Sequence, residues 1–156
     1  MPNGKNRRPT YLTPAEVRIT YLEYRADEFL DAVSAVAALV ALSDGRVEPV
    51  ERGQLIDFLD RSEFLSTVTP GAVLDEFERC IRELRTPGGP VLVLKRLARH
   101  ATSPLAPMLI DAGEEIAAAD CRLDPREQRM LQLLRIILSQ GSAPSAPRQG
   151  RPGARR

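Results

Sequence analysis

The chain has no tryptophan, and aromatic residues make up 4% of its 156 positions. It is therefore poor in the flat faces on which sugars and bases stack, which argues against sugar-processing enzymes and against single-stranded nucleic-acid binders. It holds one histidine, His100, and two cysteines, Cys80 and Cys121, with no CxxC spacing. A Cys/His zinc site cannot be assembled from that set. Two cysteines leave one disulfide open, but two free thiols in a reducing cytosol is the simpler reading. No apolar run reaches the roughly 18 residues of a membrane span, and none of signal-peptide type precedes Thr13. The expected location is the cytoplasm.

Acids are missing from both ends. Lys5, Arg7, Arg8, Arg148, Arg151, Arg155 and Arg156 lie there instead. With those seven set aside, the body holds 15 basic and 21 acidic residues, although the whole chain is at +1. An acidic body suits cations or basic partners better than nucleic acid. The length fits a single domain with a proper core.

Proline marks where helices begin. Thr13-Pro14, Glu48-Pro49, Thr69-Pro70, Ser103-Pro104 and Asp124-Pro125 each set Pro just after a capping-type or acidic residue. Pro suits the first helical turn, where its missing N–H has no partner to lose. Apolar residues then recur at helical spacing: Phe29, Val33, Val36 and Val40; Val73, Phe77, Cys80, Ile81 and Leu84; Met130, Leu131, Leu134 and Ile137. No segment alternates as a half-buried strand does. The spacing predicts helices over 14–25, 27–42, 49–61, 70–85, 90–101, 104–119 and 125–138. The fold class is all-α: one domain of about seven helices over 11–139, between disordered tails at 1–10 and 140–156.

What the chain does have is a repeat. Ser43-Asp44-Gly45-Arg46-Val47-Glu48-Pro49-Val50-Glu51 recurs as Ala119-Asp120-Cys121-Arg122-Leu123-Asp124-Pro125-Arg126-Glu127. Asp, Arg, Pro and the final Glu are identical, and Glu48 aligns with Asp124. Each copy joins an alanine-rich helix to one opened by Pro, which suggests a pseudo-twofold pair of helix-loop-helix units. Asp44 and Asp120 fall at the end of the incoming helix, where the helix dipole opposes a negative charge. Arg46 and Arg122 could compensate, and so could a divalent cation. An all-oxygen donor set selects a hard ion, Ca²⁺ first, then Mg²⁺ or Mn²⁺. The candidate ligands are Asp44, Glu51, Asp120 and Glu127, with Glu48 and Asp124 auxiliary. The pattern of an EF-hand loop is absent from both copies. Capping and salt bridges account for the same acids without any ion, because Asp124, Pro125 and Glu127 also spell a capping box.

The segments VAALVALSDGRVEPVERGQL and GEEIAAADCRLDPREQRML resemble the two repeats of the tellurite-resistance TerB family. The resemblance implies an all-α fold with internal twofold character and a divalent-cation-binding acidic cluster. It also implies a role in bacterial responses to tellurite and other chemical stress, with protein partners that include membrane-associated ones. Asp44 and Glu51 match the first motif, and Asp120 and Glu127 the second. Cys121 departs from the family's Gly. If that position needs a positive φ, Cys costs on the order of 1 kcal/mol there.

Three functions compete. The first is a non-enzymatic divalent-cation-binding protein. The second is a helical protein-interaction module whose acidic loops only cap helices. An enzyme using paired carboxylates comes third, because other catalytic motifs are missing. Outside the repeat, His100 reads as a cation at a helix end, and Cys80 as core. Tyr11, Tyr21 and Tyr24 read as packing residues. Arg79, Arg82, Arg85, Lys95, Arg96 and Arg99 read as a solvated basic face, and Glu114 and Glu115 as exposed acids.

Overall fold

A computed structural model describes residues 25–61, 68–119 and 124–140. The first expected helix, the three tyrosines, both tails, Asp120 and Cys121 lie outside these residues. Six α-helices are present among the described residues: α1 (Ala26–Ala41), α2 (Pro49–Arg61), α3 (Pro70–Leu84), α4 (Gly89–Ala98), α5 (Ala106–Ala117) and α6 (Pro125–Ser139). No strand occurs there, so the all-α expectation holds, with six described helices where seven were expected.

The starts follow the capping chemistry. Thr69 Oγ1 accepts the N–H of Ala72, with Pro70 opening α3. Asp124 does the same for Arg126, with Pro125 opening α6. Ser103-Pro104 behaves differently. The Ser103 hydroxyl accepts the Leu105 N–H, and the helix begins at Ala106, two residues later than the proline pattern predicts. Helix α4 ends at Ala98 rather than 101, and its chain passes into turns.

Helix α1 is the axis of the fold. Every residue from Ala32 to Ala41 is buried. The expected single apolar face understates this, because a helix apolar all round belongs in the middle of a core. Its alanines keep it thin, so α3 and α5 lie against it most closely, with α4 and α6 completing the surround. Gly113 on α5 is needed for that approach. A Cβ there would sit 3.1 Å from both Val36 Cγ1 on α1 and Leu131 Cδ2 on α6.

The remaining helices are amphipathic. Val73, Phe77, Cys80, Ile81 and Leu84 face inward from α3. On α6 the inner stripe is Leu131, Leu134 and Leu138, while Met130 and Ile137 are partly buried beside it. Each fully buried side chain of this size contributes about 1.5–3 kcal/mol. The central α1 also breaks any strict twofold. It is enclosed on all sides, whereas its repeat counterpart α5 shows Pro107, Asp111 and Glu114 to solvent. Among the described residues the repeat therefore survives at the helix starts, Glu48 with Glu51 and Asp124 with Glu127, rather than across the whole architecture.

Candidate functional site

Between α1 and α2 the chain makes a 3-10 turn, Leu42–Asp44, closed by Gly45 at φ 91°. That conformation is left-handed, which explains glycine at this position. Asp44 Oδ1 accepts the backbone N–H of Arg46 at 2.8 Å. The compensation expected from the Arg46 side chain is thus supplied by its main chain, in a local turn motif.

Glu51 stands in the first turn of α2 and is 6% exposed. Its Oε2 accepts the Glu48 N–H at 2.6 Å. Glu127 occupies the matching place in α6 and is 5% exposed. Its Oε2 accepts the Asp124 N–H at 3.0 Å, completing a capping box with the Asp124 side chain. The equivalence read from the repeat is therefore physical at these two glutamates. Both are much more buried than a capping glutamate needs to be.

Burial pushes the Glu51 carboxyl up to about 7, against the pull of the Glu48 N–H. The like charges of Asp44, Glu127 and Glu48 add to the rise. Asp44, Glu127 and, last of the three, Glu48 thus all act on Glu51. Arg126 Nη1 reaches across from α6 to the Asp44 carbonyl oxygen at 3.4 Å, linking the first loop to the second unit. An open cleft is lined by Asp44 and Arg46 of the first loop and by Asp124, Pro125, Arg126 and Arg129 at the start of α6.

The donors are all oxygen, and one oxygen of each glutamate is held by a backbone N–H. A carboxylate has two oxygens, so capping does not use up either group. All-oxygen donors are the type a hard divalent ion takes, but among the described residues it is Asp31, Glu76 and Cys80, not Asp44, Glu51 and Glu127, that bring three ligand-type atoms within 4.8 Å of one another. Glu114 and Glu115 do not extend the loop set: Glu114 pairs with Arg135, and Glu115 pairs with Arg61 and ties α5 to α2.

A second acidic cluster was not legible in the sequence. Asp31 on α1 and Glu76 and Cys80 on α3 bring ligand-type atoms within 4.8 Å of one another. Cations already occupy that space. Arg79 Nη2 lies 2.5 Å from Asp31 and 2.6 Å from Glu76, and 3.8 Å from Cys80 Sγ. Arg96 Nε lies 3.0 Å from Asp31, and its Nη1 lies 2.8 Å from Glu83. Burial pushes the Cys80 thiol up to about 12, so it stays protonated and is a poor ligand. The cluster is an ionic clip across α1, α3 and α4. Arg79 and Arg96 accordingly leave the basic face to which their spacing assigned them.

His100 also differs from expectation. It is buried, and burial holds its pKa below the ordinary value against the pull of Glu28 and Asp31. It is neutral at pH 7 rather than a cation at a helix end.

Helices around a buried alanine-rich axis, two of them opened by Pro and a buried glutamate, define the class of protein. The model of the family described as tellurite resistance protein TerB matches residues 30–145. The chain belongs to that family. No curated protein and no solved structure matches it.

Proposed function

We propose that this TerB-family protein is a non-enzymatic binder of a divalent cation, Ca²⁺ before Mg²⁺ or Mn²⁺, in a bacterial response to tellurite or related chemical stress. Asp44, Glu51 and Glu127, with Asp120 from the second loop, are the proposed ligands, and Glu48 and Asp124 are auxiliary. The observation that supports this is the burial of Glu51 beside two like charges. An ion coordinated there removes both the repulsion and the desolvation cost of the anion. Cation binding orders the two loops against each other and sets a surface for a protein partner. The proposed setting is the cytoplasm. No helix among the described residues is long and apolar enough to cross a membrane.

The competing reading is an interaction module in which the acids only cap. It draws support from the N–H bonds that both glutamates accept. Thermal unfolding separates the two. A ligand that binds only the folded form stabilises it by about 2.7 kcal/mol at a hundredfold excess over its Kd. Ca²⁺ or Mn²⁺ is expected to raise the melting temperature over an EDTA-treated sample, and the double variant Asp44→Asn, Asp120→Asn is expected to lose that gain. No shift in the unmodified protein at millimolar ion would leave capping as the function of these acids.

A further inference from the structure

We propose that the outer faces of α4 and α6 dock onto an anionic lipid bilayer. This inference is independent of the cation site. The large exposed aliphatics among the described residues are Val50, Val91, Leu92, Leu133 and Ile136. Four of the five lie on α4 and α6, which pack side by side. Single exposed aliphatics are ordinary on a protein surface; four on two adjoining helices are not scattered.

The helical register gathers them. On α4, Val91 and Leu92 share the outward side with Lys95 and Arg99, opposite the buried Val93 and Leu97. On α6, Leu133 and Ile136 line up with Arg129, opposite Leu131, Leu134 and Leu138. Leu92 and Ile136 are each 59% exposed.

The charged side chains that α4 and α6 themselves place on this face are basic, and acids stand only at its edges, Glu28 and Asp31 in a pocket shared with Arg99 and Asp44 and Asp124 in the cleft shared with Arg129. No acid occurs between Glu83 and Asp111, and none follows Glu127. Lys95, Arg99 and Arg129 form no ion pair among the described residues, in contrast to Arg52, Arg61, Arg79, Arg96 and Arg135. Aliphatic side chains flanked by cations that have no ion pair among the described residues match the boundary of a bilayer, where apolar groups enter the acyl region and Lys and Arg reach the phosphates. A protein partner is the other occupant that such a face could take, and it is one outcome of the test that follows.

Cosedimentation of the full chain with vesicles tests the proposal. One set is phosphatidylcholine alone, and the other is phosphatidylcholine in equal parts with phosphatidylglycerol. Binding to the anionic set only is expected, and it weakens as salt is raised. Each basic side chain near such a surface is worth about fivefold in affinity, so Lys95→Gln with Arg99→Gln should weaken binding about 25-fold. Leu92→Gln with Ile136→Gln should weaken it about tenfold or more. Both positions are exposed, so an unchanged melting temperature certifies that this variant is folded. Equal binding to the two vesicle types, or none to either, overturns the proposal. So does retention of full binding by the aliphatic variant together with competition by soluble polyglutamate, which would mark the face as a site for an acidic protein.

Discussion

Replacing Glu51 by Gln should stabilise the metal-free protein at neutral and alkaline pH. Gln keeps the shape and an oxygen able to accept the Glu48 N–H, but cannot ionise. The Glu51 carboxyl titrates near 7 in the fold against an ordinary 4.5. At about 1.36 kcal/mol per pKa unit, ionising it in the fold costs about 3 kcal/mol more than ionising it in the unfolded chain. The sign follows from proton counting. The folded state holds the proton more tightly, so the stability tied to it is complete below about pH 4.5. It declines as pH rises toward 7 and is gone above that. Urea unfolding of wild type and Glu51→Gln in EDTA, at about pH 5 and about pH 8, reads the difference directly. Carboxylates away from Glu51 titrate alike in both proteins and cancel. Gln should be the more stable by about 2–3 kcal/mol at the higher pH, and most of that advantage should vanish at the lower. A difference that does not change with pH would refute the reasoning. Glu51 would then ionise normally, and its burial beside Glu127 and Asp44 would carry no electrostatic cost.

Two further changes probe the scaffold by urea unfolding. Ser34 on α1 is fully buried, and its Oγ has no hydrogen-bond partner among the described residues. Ser34→Ala removes that unpaired group and should stabilise by about 1 kcal/mol; a loss of stability would mean that the hydroxyl is paired. Asp124→Ala removes the side-chain half of the α6 capping box and should cost about 1 kcal/mol. No loss would show that the Glu127 bond to the backbone suffices alone.

The helices were legible because their signals are local. Pro49, Pro70 and Pro125 each mark the residue at which a helix begins, and Gly45 takes the positive φ that its place after a helix suggests. What was not legible depends on distance in sequence. Asp31 and Arg79 are 48 positions apart and meet because α1 and α3 pack together, so spacing alone left Arg79 on a solvated face. His100 likewise meets Glu28 and Asp31 of α1, far from it in sequence. Ser103-Pro104 misled because a capping hydroxyl can serve a turn as readily as a helix. The candidate site was half legible. The repeat identified Glu51 and Glu127 as equivalent, but nothing local indicated that both are buried. The weight first placed on Asp44 moves accordingly, because Asp44 closes its own turn onto Arg46.

Glu51 is where the two readings of the loops separate on magnitude. A capping acid at a helix start gains from the dipole, typically about 0.3–1 kcal/mol, and from its bond to a backbone N–H. Both lower its pKa. At Glu51 the balance runs the other way by about 3 kcal/mol, because burial and the neighbouring acids outweigh the cap. An acid needed only for capping could stand in solvent, as Asp124 partly does, and escape that cost. The cap and a cation do not compete for the same atom: Oε2 is fixed by the Glu48 N–H, which orients the other oxygen. Within the proposed function, capping holds the carboxylate in place before the ion arrives. The charge that destabilises the metal-free fold becomes the attraction that holds the ion.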